Sequence, residues 1–142
     1  MRLRKPEPGL VVRYEFLWAR EAEKERTSDK DRPACIVATL EQSRDPAFVL
    51  FLTITHAPPR GDTAAVEIPP GVCRNLGLDD ERSWVVVSEY NIDEWPNAGL
   101  RPIHGKPRSF SYGYLPPSLF AQVKVGFAAA HAKGRARGTS RT

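Results

Sequence analysis

Arg32 stands where a charged side chain can do chemistry. The charged run from Ala19 to Asp31 ends at it, and the apolar run Ala34-Cys35-Ile36-Val37 begins just past Pro33. A guanidinium at the mouth of a buried strand is held rigidly while its head group faces a cleft, and a fixed cation there serves binding or catalysis. A second apolar run ends in the same way at Ile54-Thr55-His56, and the two ends are expected to meet with a site between them. His56 adds a side chain whose unperturbed pKa, roughly 6.5, suits proton transfer near neutrality. Glu89, closing the run that begins at Trp84, is a further candidate base or hydrogen-bond acceptor. Each has an ordinary alternative. Arg32 can pair with Asp31 or Glu15, threonine is common in strands because it is β-branched, His56 can be a loop or core histidine, and Glu89 a solvated strand end.

The elements that must position these residues are mostly short strands. Val12, Tyr14, Phe16 and Trp18 alternate with Val11, Arg13, Glu15 and Leu17, a period of two that predicts a strand with one buried face. Residues 19–31 carry no apolar stripe and read as a long mobile loop, either a functional lid or a solvated connector. Strands are expected over Ala34–Leu40, Ala47–Ile54, Ala65–Ile68, Trp84–Val87 and Phe110–Leu115. The stretch from Trp95 to Ser109, dense in proline, glycine and asparagine, reads as irregular. A short helix is expected between the Pro69-Pro70 pair and Gly77. Leu119, Phe120, Val123, Phe127 and Ala130 recur at helical spacing after Pro116-Pro117-Ser118 and predict a C-terminal helix. Several short strands and a terminal helix predict a mainly β protein, a small, strongly bent antiparallel barrel capped by that helix. Residues 1–132 are expected to form one barrel domain and 133–142 a basic, frayed tail.

With 142 residues, the chain can bury a core as a single domain. It has no apolar run near the roughly 18 residues that span a bilayer and no signal-peptide pattern at its start, so a cytoplasmic location is expected. The net charge of +4 owes much to Lys133, Arg135, Arg137 and Arg141, so charge by itself is weak evidence for nucleic acid. Cys35 and Cys73 lack paired metal-ligand spacing and read as buried free thiols. His56, His104 and His131 are scattered, and no structural metal or cofactor is expected.

The order of short motifs resembles the MazF/PemK family of toxins from bacterial toxin–antitoxin systems. The resembling stretches are Gly9-Leu10-Val11-Val12, Arg32-Pro33-Ala34-Cys35-Ile36-Val37, Ile54-Thr55-His56, Val66-Glu67-Ile68, Leu76-Gly77-Leu78, Ser83 to Glu89 and Tyr112-Gly113-Tyr114-Leu115, followed by the terminal helix. The resemblance covers roughly residues 9 to 131. It implies an SH3-like barrel, usually homodimeric, that cuts single-stranded RNA without metal and is blocked by a small antitoxin peptide. Arg32 and Thr55 match the family's active-site arginine and threonine. The chain departs from the family in having Gly9-Leu10 where members often carry Gly-Asp. It also has no Arg-x-Asp on the strand Trp84-Val85-Val86-Val87-Ser88, and His56 after the threonine.

Metal-free RNA cleavage needs a base for the 2′-hydroxyl, a cation for the crowded phosphorane and an acid for the leaving 5′-oxygen. Arg32 suits the cation, gripping phosphate oxygens bidentately, and it cannot be the base because arginine does not deprotonate in proteins. Thr55 can hold a phosphate oxygen or orient the 2′-hydroxyl, and proton transfer falls to His56 or Glu89. Arg60, in the Pro-Pro-Arg-Gly loop, is a candidate contact for the RNA backbone. Trp95 is the surface candidate for stacking on a base, with Trp84 assigned to the core. Two rival readings use the same barrel: a non-catalytic toxin of the CcdB type, and a module that binds RNA or a peptide without cutting.

Overall fold

The computed structural model describes residues 6–17, 32–40, 47–79, 81–95, 99–103, 109–134 and 136–140. Trp18 and the charged run 19–31 lie outside the described residues. Among the described residues the chain is mainly β, a curled antiparallel half-barrel carrying two helices. Its strands are β1 (Leu10–Tyr14), β2 (Arg32–Leu40), β3 (Ala47–Thr55), β4 (Ala65–Ile68), β5 (Ser83–Val86), β6 (Glu89–Trp95), β7 (Ser111–Tyr114) and β8 (Arg137–Ser140). The helices are α1 (Pro70–Leu76) and α2 (Pro117–Ala132).

The apolar run of β3 makes it the axis of the sheet. It pairs with β2 along one edge, and along the other with β5 at its end and β6 at its start. The sheet path runs β4-β5-β3-β2-β1-β7. Register shifts between Ile36 and Ala38 in β2 and between Val11 and Val12 in β1 bend the sheet, as bulges do.

Both faces of the central strands are buried. Val11, Cys35, Leu52, Ile54 and Val85 pack toward α1 and α2 with Cys73, Leu76, Leu119 and Val123. Val12, Tyr14, Phe16, Ile36, Phe51 and Trp95 form a second cluster. The expected single buried face of β1 is therefore corrected: Val11 is as buried as Val12, because α2 covers the side that alternation alone assigned to solvent.

Two further expectations change. The segment after Glu89 is a strand, β6, and runs as far as Trp95. Its inward residues include Asn91 and Asp93, so its polarity pattern looks inverted. Asn91 exchanges two 2.8 Å hydrogen bonds with the backbone of Leu17, and the Tyr14 hydroxyl donates to Asp93 at 2.8 Å. Buried polar groups are tolerated when partnered in this way. The basic C-terminal segment, expected to fray, carries β8, which pairs in parallel with β6. Among the described residues no helix is long and apolar enough to cross a membrane.

Candidate functional site

The register of the sheet brings the expected strand ends together. Ala34 of β2 faces Thr53 of β3, and two residues further along the same antiparallel register Arg32 comes level with Thr55. On the other edge Thr55 faces Trp84 of β5, so the next position sets Ser83 beside His56. The end of β3 is thus flanked by the starts of β2 and β5. Arg32, Thr55 and His56 line one cleft of about 380 Å³ with Pro33, Ile54, Gly77, Leu78, Asp79, Ser83 and Tyr112.

Thr55 is buried, and its Oγ1 accepts the Ala57 N–H at 3.1 Å. That bond turns the chain as β3 ends, so His56 does not point to the face opposite Thr55, as strict alternation requires, and both side chains reach the cleft. That bond does not use the Thr55 hydroxyl hydrogen. Arg32 is half-buried, with its Nε closed off from solvent. The carboxylate of Glu15 accepts from Arg101 at 3.0 Å.

His56 is tied at both ring nitrogens. Nδ1 lies 3.0 Å from the Arg82 carbonyl and 3.3 Å from Ser83 Oγ. Nε2 lies 2.7 Å from Asp79 Oδ2 and 3.3 Å from Glu81 Oε2. Oxygen atoms thus face both ring nitrogens. Asp79 reaches His56 because α1 ends as it does. Gly77 takes the left-handed conformation (φ 74°), its N–H bonds to the Arg74 carbonyl and that of Leu78 to Cys73, turning the chain sharply toward the cleft. The Arg82 backbone is steadied from outside. Its guanidinium grips Glu67 at 2.8 and 3.0 Å and lies over the Trp84 ring. The same grip holds the Glu67 carboxyl below its usual range, first through the hydrogen bond and then through the guanidinium charge.

The other expected site residues lie elsewhere. Glu89 opens β6 opposite Arg137 of β8, beyond the far end of β5 from Ser83, and does not line the cleft. Trp95 is not a surface platform. It is 8% exposed and stacks on Phe51 in the second core cluster, because β6 continues to that residue. Trp84 is buried, as expected. Arg60 is exposed in the loop after His56 and is not part of the cleft lining. Asp79, Glu81, Ser83 and Tyr112 were not candidates from the sequence. Nothing in their sequence neighbourhood links Asp79 and Glu81 to His56, and only the fold brings them there. Cys35 and Cys73 are buried free thiols. No protein-family model matches the chain, and no curated protein matches it.

Proposed function

We propose that the cleft between β2, β3 and β5 is the site of a metal-independent endoribonuclease acting on single-stranded RNA. The observation that carries this reading is the convergence of Arg32, Thr55 and His56 on one cleft wide enough for a phosphodiester and part of a nucleotide. In this account Arg32 holds the non-bridging phosphate oxygens, and its charge is worth most as the phosphorane forms. The Thr55 hydroxyl donates to a phosphate oxygen. Proton transfer belongs to the His56–Asp79 pair. The imidazolium gives its proton to the leaving 5′-oxygen as the 2′-oxygen bonds to phosphorus, and the pair regains a proton from the 2′-hydroxyl. The products are a 2′,3′-cyclic phosphate and a free 5′-hydroxyl. Asp79 thus takes the place of the acid–base strand that this chain lacks and of the role expected for Glu89. Tyr112 offers a ring beside the phosphate on which a base can stack.

A small barrel with a C-terminal helix, together with the ordered motifs that resemble MazF/PemK toxins, supports placing this activity in a toxin. Such a toxin acts as a homodimer and is silenced by an antitoxin peptide over the cleft. The test is direct: purified protein is expected to cut a sequence-diverse single-stranded RNA pool in EDTA, and Arg32→Ala to slow the cutting by about 10²–10³-fold while the fold is retained. An RNA pool left intact at high protein concentration rules the reading out.

A further inference from the structure

We infer that His56, Asp79 and Glu81 form a binding site for a divalent first-row transition metal of the Zn²⁺ type, and that its occupancy switches the cleft off. The three side chains present one imidazole nitrogen and two carboxylate oxygens, all within 4.8 Å of one another. The Nε2–Oδ2 and Nε2–Oε2 separations are 2.7 and 3.3 Å. A tetrahedral zinc ion with bonds near 2.0–2.1 Å sets its ligand atoms roughly 3.3 Å apart, so a small opening of the His56–Asp79 contact admits the ion.

The surroundings of these ligands have the form that a metal site requires. A metal-bound histidine usually donates its other ring N–H to a carbonyl or carboxylate, which fixes the ring and aims the free nitrogen. Here the Arg82 carbonyl sits 3.0 Å from Nδ1, and the Arg82 side chain is itself anchored on Glu67. Asp79 Oδ1 accepts the Glu81 N–H at 3.1 Å, which leaves Oδ2 turned toward His56. The three side chains are 47%, 54% and 71% exposed, so an ion enters freely and water completes its shell. Two carboxylates and a neutral imidazole balance a dication, and the imidazole selects Zn²⁺ over Mg²⁺ or Ca²⁺, which prefer oxygen ligands.

A bound metal occupies His56 Nε2 and Asp79 Oδ2. The proposed ribonuclease uses these same atoms for proton transfer, so the metal is an inhibitor rather than a cofactor. The site itself is independent of that reading; only the consequence for RNA cutting rests on it.

Calorimetric titration of the full chain with ZnCl₂, without RNA, tests the site. One Zn²⁺ is expected to bind per chain, Mg²⁺ not to compete, and His56→Ala to weaken binding by about 100-fold or more. Glu81→Gln, in an exposed turn where misfolding is not at issue, is expected to weaken it by about tenfold. Absent Zn²⁺ binding, or binding at wild-type strength in both variants, overturns the site. For the switch, one equivalent of Zn²⁺ is expected to stop RNA cutting and EDTA to restore it. Cutting that continues with Zn²⁺ bound at His56 overturns the switch. Failure to cut in EDTA overturns the ribonuclease reading and leaves the calorimetric result to decide the site.

Discussion

The Nε2 of His56 lies 2.7 Å from Oδ2 of Asp79, across the end of β3 from the turn that follows α1. The two residues are remote in sequence and belong to different elements. In the proposed ribonuclease this contact supplies a proton-transfer pair in place of a lone histidine.

Asp79→Asn tests that pair. The amide retains the shape but loses the carboxylate charge beside the imidazole. RNA cutting is expected to fall by about 10²-fold or more, within the usual contribution of general acid–base catalysis. RNA affinity and melting temperature are expected to change little, because Asp79 is exposed. Single-turnover cleavage alongside a binding titration separates the two effects.

Trp95→Ala tests the reassignment of that ring. Trp95 packs against Phe51, which itself stacks on Tyr14 at 4.1 Å. Truncating a buried aromatic costs about 3–5 kcal/mol, to be read as a lower urea midpoint. A surface platform predicts unchanged stability and weaker RNA binding instead.

Gly138→Ala tests the docking of β8. A Cβ at this position would lie 2.5 Å from the Tyr90 ring, and that ring is held edge-on by Phe127, with centroids 5.4 Å apart. Overpacking of this kind costs about 1–3 kcal/mol. Faster amide exchange in residues 137–140 and in the facing part of β6 is expected, with the cleft undisturbed.

Much of the fold was legible because apolar runs and their breakers mark it directly. Pro70 and Gly77 bracket α1, and the stripe from Leu119 to Ala130 marks α2. β6 and β8 were not legible, for physical reasons. Asn91 and Asp93 face inward on specific hydrogen bonds, which periodicity reads as solvent exposure, and Arg137 to Ser140 are held by backbone pairing with no apolar side chain to announce it. The site divides in the same way. Arg32, Thr55 and His56 stand out because each ends or opens an apolar run. Asp79, Glu81 and Ser83 enter through the α1 cap and the β3–β5 register, which local patterns do not encode.

The buried thiols carry a pH signature. Burial pushes Cys35 up from 9.0 to about 12, opposed by the backbone N–H of Gly9, and burial raises Cys73 as well. A thiol raised in the folded state stays neutral there while the unfolded chain ionises. Its stabilising contribution is complete below pH 9 and is lost as the pH rises through about 12. The urea midpoint is therefore expected to fall across that window. Iodoacetamide at neutral pH is expected to leave both cysteines unmodified until the protein unfolds.

RNA cutting in EDTA by wild type and Arg32→Ala, with melting curves on the same samples, tests the central claim most directly. Wild type is expected to cut single-stranded RNA to cyclic phosphate ends. Arg32→Ala is expected to lose about 10²–10³-fold in rate, the scale for removing one fixed donor to a charged transition state, and to melt as wild type does. Equal cutting by both proteins, or none by wild type, would contradict the account.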